Sequence, residues 1–547
     1  MARVDLKDVR ARFTNAQQVR ATKENEWKEL GEFIAPGCLN FGGTYQRDEA
    51  HPWVHIIDSV ATGAADSLAA GMLGGMTSPA RPWFRLTTKD PNLDEAYAVK
   101  RWLDDATEEL LMIFNGSNVY QVLHQLYFEL AVFGTACAVV EPLADGSIHL
   151  TKLALGDFWL ATDPHDNVDT LYLRYVLTAK QLIQRFGRSH VPDFVRKDVD
   201  NNHGEREYSV IQAIEPRLER DPDRVDHENM PWQSVHFLEK SQHDEPLLVE
   251  GFTHFPVLCP RWTLTAYSPY GTGIGSRALG KVKMLQGQLA DLSYGIGYMA
   301  RPPLMIPPTL EGREADLAPG GHVVGDRNDI ITQAVQVKFD VGPLDAMIQR
   351  ESRDIESMFF KDLFMMLSNS ARDTRTAYEV EQLQQEKMLM LGPVLERLHI
   401  ELLGPLIRNT FYHGLQGGKI TAPPEGMPDV ELNVDYISVL ALAQKASALN
   451  GYTNFMSVLA SVQQVMPTSF VTDLLDADQY VRKMADMLGV DPQHLRESRE
   501  VEKIRQQRQE AQAQQMQADR MQQLAATTKD AMSGVADAGK LENFQGY

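Results

Sequence analysis

Residues 275–300, GSRALGKVKMLQGQLADLSYGIGYMA, are the most regular part of this 547-residue chain. Their apolar side chains recur in alternating steps of three and four, at Val282, Leu285, Leu289, Leu292, Ile296 and Met299. This heptad-like stripe predicts a helix that packs along a neighbouring helix at a shallow angle. Pro302 and Pro303 end the helix, because proline lacks a backbone N–H and collides with the preceding turn. The stripe alone fits a core helix of a monomer equally well.

A second amphipathic helix is predicted from about residue 344 to residue 367. The apolar residues on one side of it are Leu344, Ile348, Ile355, Phe359, Leu363 and Met366. Residues 303–343, between the two helices, contain frequent prolines and glycines and the short β-type runs GGHVV and AVQVKFDV. Such runs, broken by turn residues, are typical of short strands. We therefore expect two amphipathic helices that flank a compact β-rich insert.

The loop that follows, SNSARDTR at residues 368–375, carries two arginines just before a predicted helix. Arg372 and Arg375 would lie near the positive end of the helix macrodipole, where an exposed cation is unfavourable by up to about 1 kcal/mol. On an ordinary protein surface they would pair with Asp373 or Asp354. Placed between two long helices, they instead raise the question of an anionic partner outside the chain.

The helix after this loop is predicted to run from residue 376 to residue 416. Thr376 and Glu379 have the spacing of a capping box, in which each side chain binds the other residue's backbone N–H. Pro393 and Pro405, each preceded by glycine, predict kinks, because each proline removes one backbone hydrogen bond. The apolar stripe continues through both sites, which favours one bent helix, at Leu391, Val394, Leu398, Leu402 and Leu406.

The remaining segments complete an α+β protein in which helix predominates. Residues 1–270 begin with helical patterns and then change to short β-rich runs such as ACAVVE, SIHLTKL, LYLRYVL and EYSVIQAI. Residues 417–436 form a linker and a strand, and residues 437–490 have a helical pattern. The Gln-rich tail, residues 491–547, has too thin an apolar stripe for a globular core, so a solvated helix, an oligomeric barrel and disorder are all open.

Composition narrows the class of protein. A net charge of −21 argues against a protein that coats nucleic acid with basic faces, because phosphate neutralisation supplies that kind of affinity. An acidic protein can still handle DNA that must slide past it. The three cysteines form no CxxC pair, which favours folding in a reducing cytoplasm. Residues 60–76 are rich in small residues and interrupted by Asp66, so they predict a buried helix and no membrane partner.

We find no catalytic, metal or cofactor signature that would carry a prediction. GSRALGKV, residues 275–282, approaches the P-loop pattern, but Val282 replaces the hydroxyl residue that would hold magnesium. The glycines of YGTGIG, residues 270–275, lack the strand–helix setting and the downstream acid of a dinucleotide-binding fingerprint. We therefore expect no enzyme activity, no metal and no cofactor. A nucleotide-dependent enzyme built around GSRALGKV is the alternative.

Taken in order, these segments resemble the portal proteins, or head-to-tail connectors, of short-tailed bacteriophages. Four blocks carry the resemblance: DSVATGAADSLAAGMLGGMTSPARPWFRL, FGTACAVVE, YGTGIGSRALGKVKMLQ and FFKDLFMMLSNSARDTRTAYEVEQLQQEKMLMLGPVLERL. The similarity covers nearly the whole chain up to about residue 490, and the last block is the most diagnostic. The Gln-rich tail departs from the pattern.

The resemblance implies a ring of twelve subunits around an axial channel, set at one vertex of the capsid. The parts of such a subunit would be the wing (1–270), the first stem helix (271–302), the clip (303–343), the second stem helix (344–367), the tunnel loop (368–375), the long kinked wing helix (376–416), the linker and strand (417–436) and the crown (437–490).

The resemblance also implies roles for single residues. Asn369, Arg372 and Arg375 of the tunnel loop would face double-stranded DNA in the channel. The apolar faces of the two stem helices would pack within and between subunits. These stem positions are Val282, Leu285, Leu289, Leu292, Ile296, Leu344, Ile348, Ile355 and Phe359.

The implied partners are further copies of the chain, double-stranded DNA, the major capsid protein, the scaffolding protein, the large terminase subunit, the tail adaptor or tail tube protein and internal ejection proteins. The protein would be a passive conduit and docking ring in the virion, assembled in the host cytoplasm, with ATP hydrolysis left to a partner. A monomeric scaffolding or adaptor protein is a further alternative.

Overall fold

The fold is known from a computed structural model, in which the chain divides into two compact units, Met1–Gln444 and Lys445–Tyr547. The structure describes residues 5–39, 56–88, 97–300 apart from eight positions between 222 and 267, 304–305, 332–333, 341–364, 390–424, 432–438, 440, 501–517 and isolated positions between 455 and 521. In the second unit, residues 501–517 form a largely exposed helix, and Arg505 pairs with Asp478.

Helices account for most of the regular structure, and the prediction of a mixed, mainly helical protein is confirmed. The helices of the first unit are α1 (Leu6–Phe33), α2 (Val60–Met76), α3 (Tyr97–Asn115), α4 (Val119–Phe133), α5 (Ala179–Phe186), α6 (Asp193–Asp200), α7 (Ile274–Ala300) and α8 (Val341–Met358). A last helical run comprises residues 390–398, a π-helical turn at His399–Leu403 and α9 (Gly404–Gln416).

Local capping explains where several of these helices begin and end. The Asp5 side chain accepts a hydrogen bond from the Lys7 N–H at the start of α1. Thr178 and Gln181 form a reciprocal capping box at the start of α5. Gly134 ends α4 in the left-handed conformation, which glycine adopts without steric cost.

The strands are β1 (Phe84–Thr88), β2 (Cys137–Pro142), β3 (Ile148–Leu153), β4 (Phe158–Thr162), β5 (Val168–Thr178), β6 (Glu207–Pro216), β7 (Trp232–Leu238), β8 (Leu248–Phe252), β9 (Val257–Leu258), β10 (Leu304–Met305), β11 (Thr332–Gln333) and β12 (Leu432–Tyr436). The four β-rich runs expected within residues 1–270 correspond to β2, β3, β5 and β6. A predicted strand within residues 417–436 corresponds to β12.

These strands form one large sheet and three small ones. Strands β4 to β8 pair in sequence order as an antiparallel meander, and β2 lies between β3 and β9. Strand β12 pairs antiparallel with β1, with Tyr436 opposite Phe84, so that distant parts of the first unit are joined. One face of the large sheet packs on α1, where Phe13 contacts Trp159 and Tyr172. The other face joins the main core, a hydrophobic cluster that includes Phe158, Leu160, Leu171, Leu68, Leu126 and Val282.

Small side chains allow α2 to lie at the centre of this core. Ala64, Ala65, Leu68 and Ala69 are completely buried, as the sequence prediction of a buried helix requires. A Cβ atom on Gly75 would be 2.9 Å from Leu440, so glycine permits a close contact there. In the part of the chain that the structure describes, no helix is both long and apolar enough to span a membrane.

The second predicted stem helix is interrupted, which corrects the prediction of a single helix over residues 344–367. α8 ends two residues before Phe360, whose backbone is left-handed with a φ of 56°. This turn places both Phe359 and Phe364 in the main core. Phe364 lies so close to α2 that a Cβ on Gly71 would be 2.3 Å from its ring. Burial of these rings offsets the cost of the left-handed residue, about 1–2 kcal/mol.

The buried acid Glu129 lies inside the core of the first unit. Glu129 of α4 is 1% exposed and forms an ion pair with Lys152 of β3, while its Oε2 atom has no hydrogen-bond partner within the described structure. Burial raises the pKa of Glu129 to about 7, although Lys152 acts in the opposite direction. Folding therefore favours the protonated acid.

We predict that Glu129 makes the free energy of unfolding fall as pH rises from about 4.5 to 7. In this window the folded state binds more protons at Glu129 than the unfolded state, and the expected change is on the order of 3 kcal/mol. Glu129→Gln should remove this part of the pH dependence. Urea denaturation of both proteins across this pH range gives the difference between their free energies of unfolding. Lys152→Met should enlarge it, because the ionised acid loses its partner. An identical pH profile for wild type and Glu129→Gln would contradict the prediction.

Candidate functional site: helices α7 and α8

Helix α7 begins where two glycine segments touch through their backbones. The segment YGTGIG, residues 270–275, passes the end of α4 at Gly134, whose φ is +82°. A Cβ on Gly273 would be 2.6 Å from the Gly134 nitrogen, and a Cβ on Gly275 would be 2.4 Å from the Val132 carbonyl oxygen. Real Cβ atoms are not found this close to a backbone, so glycine is required. The motif that could suggest a nucleotide therefore has a packing explanation.

The first half of α7 is fixed in the core by apolar and polar contacts. Val282 and Leu285 are buried in the main core. Gln286 is 5% exposed, and its side-chain oxygen accepts hydrogen bonds from the backbone N–H groups of Ile57 and Asp58, at 2.8 and 3.0 Å. Its amide group donates to the Asp58 carbonyl at 2.7 Å. Gln286 thus ties α7 to the residues that precede α2.

An ion-pair cluster joins α7 to α8. The Lys281 Nζ atom lies 2.5 Å from Asp354 Oδ2 and 3.1 Å from Glu351 Oε2. The hydrogen bonds that Lys281 donates to Asp354 and then to Glu351 raise the pKa of Lys281, so it stays cationic. The segment GSRALGKV lies in the first turns of α7 and its lysine is engaged by two carboxylates. This geometry gives the near P-loop pattern a structural role.

The apolar stripe of α7 changes from buried to exposed along the helix. Leu289 and Leu292 are half-buried against the main core. Ile296 and Met299 are 45% and 41% exposed, and the nearby Tyr294 is 70% exposed. Within the described residues of one chain, the second half of the predicted stripe is therefore only partly covered.

The predicted stem positions of α8 are more completely covered. Ile348, Ile355 and Phe359 are buried, and Leu344 packs against the main core while half-buried. The structure thus brings these four residues together with Val282 and Leu285 of α7 in one core.

The chain that leaves α7 is paired with the chain that returns to α8. Strand β10 begins four residues after α7, and Leu304 lies opposite Gln333 of β11 in an antiparallel pair. This pairing holds the start of the intervening segment beside residues 332–333, which lie shortly before α8. The predicted strands GGHVV and AVQVKFDV lie outside the described residues, apart from Val341 at the start of α8.

The predicted DNA-facing and capping residues also lie outside the described residues. They are Asn369, Arg372, Arg375, Thr376 and Glu379. Asp354, which the sequence suggested as a local partner for the loop arginines, is bound to Lys281.

The last helical run contains both predicted kink sites. Pro393 lies within the helical residues 390–398, and Pro405 is the second residue of α9. Before Pro405 the helix widens into a π-turn, in which the Gly404 N–H donates to the His399 carbonyl. A π-turn is one of the known causes of helix bending, because it interrupts the regular i to i−4 bonds.

Sequence analysis missed a buried ion pair at this π-turn. Arg261, which is 1% exposed, binds Glu401 through its backbone N–H at 2.9 Å and its side-chain Nε at 3.1 Å and Nη2 at 2.5 Å. Arg261 Nη2 also donates to the Asp166 carbonyl at 2.7 Å. The sequence signal was slight: one acid in the apolar run LHIELLGPL, 140 positions away from its partner.

Within the described residues, no group of three or more histidine, cysteine, aspartate or glutamate side chains is arranged to hold a metal ion.

Comparison with known proteins identifies the family of this chain. The chain belongs to the family of bacteriophage head-to-tail connecting proteins, whose sequence model matches residues 6–495. It is 39% identical over 529 residues to the probable portal protein of Bordetella phage BPP-1, and 34% identical over 532 residues to the portal protein of Salmonella phage epsilon15. Each comparison covers 96% of this chain and 95% of the relative. The resemblance derived from the sequence is confirmed.

The prediction that the chain is a portal for DNA packaging is also confirmed. The chain is a phage portal, a connector between head and tail that serves DNA packaging. Its family consists of structural virion proteins and not of enzymes.

We predict that Gly273→Ala destabilises the first unit by about 1 to 3 kcal/mol, because the added methyl group collides with backbone atoms at the start of α7. Gly280→Ala, within α7, is the matched control. A Cβ there meets no atom within 4 Å, so helix propensity should leave stability unchanged or raise it by up to about 1 kcal/mol. Urea denaturation followed by circular dichroism measures both. Equal stability of the two variants would show that the glycine contact is not required.

Proposed function

We propose that copies of this chain, twelve in number, close into a ring whose axial channel conducts double-stranded DNA. The observation that carries this proposal is the exposed end of the α7 stripe. Ile296 and Met299 continue an apolar face whose first half is already buried. A neighbouring copy would cover this face, and head-to-tail contacts of one kind repeat until a ring closes.

In this proposal α7 and α8 form the stem, with residues 303–343 as the clip that meets the large terminase subunit and later the tail adaptor or tail tube protein. The paired strands β10 and β11 support a clip whose two ends are held together at its base. Residues 1–270 and 376–416 would form the wing, and residues 437–490 the crown. The major capsid protein, scaffolding protein and internal ejection proteins are further proposed partners, met during assembly in the host cytoplasm.

Electrostatics support a conduit that does not bind DNA tightly. The net charge of −21 makes adhesion to phosphates unfavourable over much of the surface. Asn369, Arg372 and Arg375 would supply weak contacts from the tunnel loop, which cyclic symmetry would gather into a basic girdle. Lys281 is engaged by Asp354 and Glu351, which supports leaving ATP hydrolysis to a partner.

The native mass of the purified protein, with electron-microscope images of the same fraction, tests the ring. A large closed particle with a central hole is expected. A monomer at all concentrations would contradict the proposal.

We predict that a charge on the stem stripe weakens ring assembly. Leu289→Asp and Ile296→Asp should both lower the yield of rings, because each buries a carboxylate at an apolar contact. Ile296 is 45% exposed in a single chain, so its substitution should not impair folding of the subunit. Gly287→Asp is the matched control. It places the same charge on another face of α7, where a Cβ meets no atom within 4 Å.

Native mass and circular dichroism distinguish the outcomes of this experiment. Fewer rings from folded Ile296→Asp, with normal yield from Gly287→Asp, would support the stem assignment. Unchanged ring yield in both stripe variants would overturn it.

We predict that Arg372→Gln/Arg375→Gln leaves ring assembly intact and impairs DNA packaging or retention. The loss of cations should also make packaging less sensitive to salt, since fewer counterions are displaced by contact with phosphates. Arg188→Gln/Arg196→Gln is the control, because it removes two charges from the exposed α5–α6 hairpin. Failure of ring formation in the loop variant would identify these arginines as structural. Equal packaging by both variants would show that Arg372 and Arg375 do not contact the DNA.

A further inference from the structure

Two of the three cysteines lie opposite each other on neighbouring strands. Ala138 of β2 pairs with Leu258 of β9, so Cys137 and Cys259 are the next cross-strand pair. The backbone bonds flank this pair: the Ala136 N–H donates to the Pro260 carbonyl at 3.3 Å. Cys137 and Cys259 therefore occupy a non-hydrogen-bonded position of the antiparallel ladder, where opposed Cα atoms are about 4.5 Å apart and side chains are closest.

This placement satisfies the geometry of a disulfide. Cross-linked cysteines have Cα atoms about 4.4 to 6.8 Å apart, and two side chains at one ladder position point to the same face of the sheet. Both residues are free thiols, and both are buried. Burial, followed by a hydrogen bond with Cys259, raises the pKa of the Cys137 thiol, so the two side chains are in contact and little of Cys137 is present as thiolate.

A cavity gives access to one member of the pair. Its volume is about 250 Å³, and its lining includes Cys259, Phe255, Val257, Glu401, Pro405 and Arg408. Arg408 is exposed, and the cavity is partly open to solvent. Cys137 is not part of the lining and is completely buried. A small reagent can therefore approach Cys259 before Cys137.

We propose that Cys259 and Cys137 are a redox-active pair, which a small-molecule disulfide entering this cavity converts into a cross-strand disulfide. The Cys259 thiolate attacks one sulfur of the reagent, so that a mixed disulfide forms and one small thiolate leaves. Cys137 then loses its proton and attacks the Cys259 sulfur, which releases the second small thiol. The two cysteines are oxidised, the reagent disulfide is reduced to two thiols, and the departing thiolates take up the protons.

The cross-link would join two segments that determine the position of α7. Cys137 begins β2, three residues after Gly134, and the chain from Cys259 leads through YGTGIG into α7. The reduced pair suits folding in a reducing cytoplasm, and oxidation becomes possible only when the protein meets an oxidising medium. The proposal rests on strand register and cavity access alone, and not on ring formation.

The test uses the full-length chain with Cys38→Ala, in which only the proposed pair remains. The native protein is treated with 2-hydroxyethyl disulfide, denatured in acid and alkylated without reductant, and its peptides are analysed by mass spectrometry. We expect no alkylated cysteine and one Cys137–Cys259 cross-linked peptide. The rate should rise with pH, because thiolate is the attacking species. The oxidised protein should also melt at a higher temperature than the reduced protein.

Single variants in the same background establish the order of the two steps. With Cys137→Ala, Cys259 should retain the reagent as a mixed disulfide. With Cys259→Ala, Cys137 should stay unmodified until the protein is unfolded. Two free thiols in treated native protein, under conditions that modify the denatured chain completely, would overturn the proposal. Equal reaction rates of Cys137 and Cys259 in the two single variants would overturn the assignment of the cavity as the route.

Discussion

The close backbone contact between the end of α4 and the start of α7 is the constraint on which the rest of the first unit depends. Gly134 turns the chain out of α4 in the left-handed conformation, and Gly273 and Gly275 let the returning chain approach without side chains between them. The contact determines where α7 leaves the core. The Lys281 cluster then holds α8 beside it.

Charged side chains in the described part of the first unit join segments that are distant in sequence. Arg261 holds Glu401 at the π-turn, and Lys281 holds α8 against α7. The Arg261–Glu401 pair is buried, and such a pair contributes little net stability, but the loss of one partner is costly because it leaves an unpaired charge. Such cations serve to specify which segments meet.

The strand and helix predictions succeeded where the pattern was local and repeated. β2, β3, β5 and β6 were predictable from alternating β-branched and apolar residues, and α7 from its stripe. The interruption at Phe360 was not predictable, because it depends on the space that Gly71 leaves on α2. The Arg261–Glu401 pair was missed for a similar reason: each residue alone is typical of a surface, and only the fold brings them together.

The sequence by itself determined the family, the order of the segments, the helix α7 and the absence of a recognisable catalytic motif, because these depend on local periodicity and on motifs in a fixed order. Tertiary structure decided what the ambiguous residues do. The glycines of YGTGIG make a backbone contact, Lys281 makes an inter-helix ion pair, and Cys137 and Cys259 become neighbours. Each of these outcomes depends on atoms that are far apart along the chain, and distances of this kind are set only when the core packs.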